Sequence, residues 1–118
     1  MGVNLTLLTC HSTWGDDWYV YAVLPINRYT AFYDLVRTLP SELAKPLIVE
    51  RHSDSESRGI GFHDRLTRGS LGSPLRYVTL PDFLSLYDNE IVKRSIDVRG
   101  AMDYLRHSGQ EVIVLYWH

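Results

Sequence analysis

The run Glu111-Val112-Ile113-Val114-Leu115-Tyr116-Trp117 constrains the fold more than any other stretch of the chain. Almost every residue in it is apolar, so neither face of an extended segment here can be left to water. It predicts a strand over about 111–117, buried on both sides and central in a sheet. The rest of the chain must then supply neighbouring strands and a covering layer of helices.

Two stretches offer neighbours. Val3-Asn4-Leu5-Thr6-Leu7 alternates apolar and polar residues, the period of a strand with one buried face, and predicts a strand over about 3–9. Trp18-Tyr19-Val20-Tyr21-Ala22-Val23-Leu24 is aromatic and β-branched and is closed by Pro25, which predicts a second strand over about 18–24 paired with the first. Leu47-Ile48-Val49, after Pro46, is a candidate third strand over 47–50, although three apolar residues also suit a buried loop.

Three segments carry helical spacing. Tyr29, Phe32, Tyr33, Val36 and Leu39 fall on one face of a helix over about 28–39, with Asn27 as N-cap, Pro40 as stop, and Arg28, Asp34 and Arg37 off the apolar stripe. Thr79-Leu80-Pro81-Asp82 has the form of a capping box before a helix over about 80–87. Val98, Ala101, Met102 and Leu105 mark a helix over about 97–107, with Asp97 as N-cap and Gly109 as the C-terminal stop. The expected architecture is a small single-domain α+β sandwich spanning 1–118, with a mixed or antiparallel sheet of three to four strands.

Residues 51–76 break the pattern. Serines, glycines and Pro74 punctuate them, and they read as a long loop, or alternatively as a hairpin in which Arg58-Gly59-Ile60-Gly61-Phe62-His63 forms a short ribbon with Ile60 and Phe62 facing inward. The segment carries Arg51, Arg58, Arg65, Arg68 and Arg76 against Asp54, Glu56 and Asp64, so it is locally basic in a chain of net charge −2. That overall charge gives no global attraction to nucleic acid or anionic lipid. A hydrophobic fraction of 45% and a charged fraction of 22% are those of a globular protein. No apolar run approaches the roughly 18–20 residues of a membrane span, so no membrane association and a cytoplasmic location are expected.

Motifs for chemistry are sparse. His11, His52, His63, His107 and His118 stand at no spacing that presents two nitrogens to one ion, so no metal and no cofactor are expected. Cys10 reads as a small buried apolar residue rather than a nucleophile. Gly59-Ile60-Gly61 does not complete a dinucleotide fingerprint because Asp64 stands where a third glycine belongs, and Gly69-Ser70-Leu71-Gly72 is not a nucleophile elbow.

Three functional readings follow. The first is a non-enzymatic macromolecular-interaction protein, in which Arg58, Arg65, Arg68 and Arg76 of the central segment, together with the aromatics Trp14 and Trp18, contact a protein partner or a second copy of the chain. The second is a small hydrolase or transferase acting on an anionic substrate, with His63 as acid or base and Asp64 orienting it. The third is single-stranded nucleic-acid binding, with aromatics stacking bases and arginines tracking phosphates.

Overall fold

A computed structural model describes residues 3–12, 18–51, 62–69 and 72–118, with the backbone alone at 11, 12, 49–51 and 62–65. The chain order is β1 (Leu5–Ser12), β2 (Trp18–Ile26), α1 (Thr30–Arg37), β3 (Glu42–Leu43), β4 (Leu47–Arg51), β5 (Phe62–Leu66), β6 (Arg76–Thr79), α2 (Leu80–Leu84), α3 (Glu90–Lys93), α4 (Ile96–Ser108) and β7 (Val112–Trp117). Among the described residues the strands form one sheet in the order β3-β6-β7-β1-β2-β4-β5, antiparallel throughout except for the β2–β4 pair. The α+β class expected from the sequence is the one observed. No helix of the described residues is long and apolar enough to cross a membrane.

β7 is an interior strand, flanked by β6 and by β1, the middle strand of the sheet, and is buried on both faces. Ile113 and Leu115 join a core of helix and sheet residues on one side, and Val114 joins a second cluster on the other. On the first side Leu5, Leu7 and Val78 of the sheet meet Phe32 and Val36 of α1, Phe83 of α2, Val92 of α3, and Val98, Met102 and Leu105 of α4. The second cluster consists of Leu8, Cys10, Leu47, Leu75 and Val114, with Trp18, Val20 and Tyr77 packed around it.

The second cluster exists because the sheet curls. β3 and β4 lie five strand spacings apart in the sheet, about 24 Å if it were flat. Only residues 44–46 join them, and four Cα steps from Leu43 to Leu47 reach at most about 14 Å. The sheet therefore bends until its two sides face each other. The link is stitched to both: Ala44 N–H donates to the Leu75 carbonyl at 2.9 Å, and Trp18 N–H donates to the Pro46 carbonyl at 2.9 Å. Across the resulting hollow the rings of Trp18 on β2 and Tyr77 on β6 meet edge to face, 5.2 Å between centroids.

A bulge lets β2 serve both clusters. Thr9 pairs with Ala22 and Cys10 with Val20, so Tyr21 is an extra residue, and Ala22 N–H donates to the Thr9 hydroxyl at 3.0 Å. Trp18 and Val20 consequently face the hollow while Leu24 and Ile26 face the helices, although all four share one parity in the sequence.

Several local expectations need correction. β1 is buried on both faces rather than one, because its even positions, including Thr6 and Leu8, line the hollow side. The first helix is shorter than 28–39 and is preceded by Tyr29, which makes no side-chain cap; Asn27 instead donates to Asp97 at 2.6 Å, tying β2 to α4. The cap of α4 is Ser95, whose hydroxyl accepts from Val98 N–H, rather than Asp97. The Thr79 cap and the left-handed Gly109 stop (φ 75°) are present as expected. The described part of 51–76 is not a loop: β5 pairs antiparallel with β4, Arg68 bridges to Pro74, and β6 lies between β3 and β7. The hairpin alternative is followed at Phe62 and His63, while 58–61 lie outside the described residues. The polar sequence of β5 hid it, and α3 at 90–93 is too short to show a period.

The buried Tyr33 hydroxyl accepts from Leu5 N–H at 3.2 Å and donates to the Ile26 carbonyl at 2.9 Å. Tyr33→Phe leaves both backbone groups without this partner, and the expected loss is about 1–3 kcal/mol of unfolding free energy. A urea titration with an unchanged midpoint would show that these bonds contribute nothing net.

Candidate functional site

A concavity lies between the end of α1 and residues 69 and 72–76, floored by the last residues of β7. Its position follows from α1. Tyr33 and Arg37 are one helical turn apart and so share a flank of the helix. Tyr33 meets the Trp117 ring edge on at 5.5 Å between centroids, and the Arg37 guanidinium carbon lies 4.5 Å from the centroid of the same ring. Such a stack contributes on the order of 0.5–1 kcal/mol at an exposed site. Arg37 also donates to Asp34 at 3.3 Å, an exposed pair of small energetic weight. Its place in the last turn suits the negative end of the helix dipole.

The opposite wall is built by residues 67–69 and 72–76. Leu75 N–H donates to the Thr67 carbonyl, Gly69 N–H to the Ser73 carbonyl and Gly72 N–H to the Gly69 carbonyl, closing a tight turn in which Gly72 takes a φ of 89°. A second glycine is needed for another reason: a Cβ on Gly69 would lie 2.9 Å from the Trp117 carbonyl oxygen, so only glycine lets this segment approach β7 so closely. Arg76, the first residue of β6, donates from Nε to the Ser41 hydroxyl and from Nη2 to the Ser41 carbonyl, both at 2.8 Å.

Two overlapping lobes of about 220 and 230 Å³ share Arg37, Ser73, Pro74, Leu115 and Trp117. Leu39 extends the apolar surface of one lobe and Val3 that of the other, with the buried Val36 and Leu75 behind them. Among the described lining residues the charged groups are Arg37 and Arg76, with no carboxylate. The groove is thus apolar below and cationic at its walls.

The residues singled out from the sequence are spread around this arrangement. Arg76 lines the groove. Arg68 is exposed and donates from Nη1 to the Gly72 carbonyl at 2.7 Å, bracing the same turn. Trp18 packs in the hollow of the sheet against Tyr77, away from the groove floor. His63, Asp64 and Arg65 occupy successive positions of β5, opposite Glu50, Val49 and Ile48, and their side chains lie outside the described residues. Arg58 and Trp14 also lie outside them. The enzymatic reading through His63 and Asp64 therefore gains no geometry. Among the described residues no group of three or more His, Cys, Asp or Glu side chains is placed to hold a metal ion.

Arg37 and Trp117 were missed in the sequence because Arg37 was placed off the apolar stripe. The spacing Tyr33–Arg37 was the available signal, since a long guanidinium stem one turn beyond a buried tyrosine can reach what that tyrosine touches.

Cys10 is 4% exposed, and burial pushes its thiol up from 9.0 to about 12, which leaves almost no thiolate at neutral pH. Comparison of the chain with protein-family models, with curated proteins and with solved structures finds no match.

Two outcomes are expected. Gly69→Ala should cost about 1–3 kcal/mol by forcing the turn off β7, and an unaltered thermal midpoint would show that the close approach is not required. The folded thiol of Cys10 holds its proton more tightly than the unfolded one, so its contribution is complete below about pH 9 and is lost as pH rises toward about 12. The urea midpoint of the wild type should accordingly fall more steeply than that of Cys10→Ala above pH 9; parallel pH profiles would contradict it.

Proposed function

We propose that the chain is a non-enzymatic binding protein that seats an anionic group of a macromolecular partner in the groove between α1 and residues 69 and 72–76. One observation carries the reading: two guanidinium groups, each already held by contacts within the protein, line an apolar groove whose described lining has no carboxylate. Guanidinium groups recognise carboxylates and phosphates through paired hydrogen bonds. The Ser41 contacts use two of the five N–H donors of Arg76, which leaves donors for a ligand. Arginine stays protonated across the working pH range, so these charges suit recognition rather than proton transfer.

The reading keeps the anion-docking role expected of the central basic segment, moves it to the end of that segment at Arg76, and adds Arg37 from α1. Trp117 replaces Trp14 and Trp18 as the aromatic at the contact.

The test is a nuclear magnetic resonance titration of nitrogen-15-labelled protein with inorganic phosphate at low ionic strength. Shifts should concentrate at the Arg37 and Arg76 Nε–H groups and the Trp117 indole N–H, and should weaken as salt screens the charges. Arg37→Gln with Arg76→Gln retains most of each stem and removes both charges, and it should abolish the shift of the indole. Equal responses in wild type and double variant would overturn the proposal.

A further inference from the structure

We infer that the anion this groove takes is the free terminal carboxylate of a polypeptide whose last side chain is apolar. The inference rests on the reading of the groove as an anion site and names the source of the anion. Its first support is the mixture of surfaces. A strongly hydrated anion with no apolar body would leave Pro74 and the exposed part of Trp117 uncovered, whereas the ligand that suits both surfaces carries its charge beside an apolar group.

The second support is size. The lobe that Arg37 and Arg76 both line is about 230 Å³. It has room for an end group. The terminal residue of a polypeptide joins a carboxylate and a side chain at a single carbon, and capture of that carboxylate is a recurring mode of peptide recognition.

The third support is charge complementarity. Arg37 and Arg76 stand on two different elements and line the same lobe, so a carboxylate there is favoured over an uncharged amide, which cannot accept from a guanidinium with the same strength. The apolar side chain then covers Pro74 and the exposed part of Trp117. An acidic side chain within a partner would bring its charge without an adjoining apolar group.

The experiment uses the whole protein and fluorescein-labelled hexapeptides: one ending in leucine with a free carboxylate, the same peptide amidated, one ending in glycine with a free carboxylate, and an amidated peptide with an internal glutamate. Fluorescence anisotropy reads affinity, and the Trp117 indole resonance reads location. The leucine acid should bind at the groove roughly tenfold or more tightly than its amide, and more tightly than the glycine acid or the internal glutamate. Arg37→Gln with Arg76→Gln, checked for an unchanged thermal midpoint, should remove the difference between acid and amide. If phosphate shifts the groove resonances but the leucine acid binds no better than its amide, or no better than the internal glutamate, the terminal-carboxylate assignment falls while the anion groove stands. If neither phosphate nor the leucine acid moves those resonances, both fall.

Discussion

Tyr33 occupies the point on which the rest of the structure depends, because its hydroxyl bridges Leu5 and Ile26, the residues paired at one end of the β1–β2 ladder. Leu5 also pairs with Trp117 of β7. A single phenol thus anchors α1 where three strands of the sheet run side by side. Its ring is buried among apolar residues and meets Trp117 edge on, so the polar tip and the apolar body are both satisfied by the same placement. Once Tyr33 is fixed, the helix cannot rotate without exposing Phe32 and Val36. Arg37, one turn on, is then delivered to the outer face of Trp117. The candidate site inherits its geometry from the bond that docks the helix.

The second constraint is the short link from β3 to β4. It bends the sheet, and the bend creates a hollow that a flat sheet of this length would leave as an exposed apolar face. The bulge at Tyr21 completes the arrangement by turning Trp18 and Val20 into that hollow while Leu24 and Ile26 remain under the helices. Two cores therefore share the central strands β1 and β7. This accounts for the apolar character of β7: Val114 belongs to one core and Ile113 and Leu115 to the other.

That strand was legible because burial on both faces leaves a compositional trace, and the helices around Val36 and Met102 were legible because their stripes run for several turns. The caps were half legible. Asn27 and Asp97 have the residue types of helix caps, yet they bond to each other across 70 residues, and a tertiary contact of this kind leaves no local pattern. β6 escaped notice because four residues are too few to show a period, and β5 was only touched by the hairpin alternative because its middle residues are polar; both owe their pairing to other strands rather than to their own pattern. Arg76 was among the residues marked for binding, but the groove could not be read from its own segment. Its other wall is 39 residues earlier in the chain at Arg37, and its floor lies at the end of β7.

The groove depends on a compromise between closeness and vacancy. Gly69 brings the turn against the backbone of Trp117, and Leu75 is buried in the hollow, so this wall is pinned on two sides. α1 ends at Arg37, and Thr38 closes it by donating from its hydroxyl to the Leu35 carbonyl at 2.6 Å. Another helical turn would project toward the space that the groove occupies, whereas the chain instead passes through Pro40 to Ser41, which holds Arg76. The early helix stop and the close glycine approach act together, one leaving the space open and the other keeping its far wall near. Both arginines are held by contacts within the protein, Arg37 on Trp117 and Arg76 on Ser41, and under the proposed reading this lowers the ordering entropy of binding. Preorganised charge over an apolar floor is what distinguishes this groove from an ordinary crease between a helix and a turn.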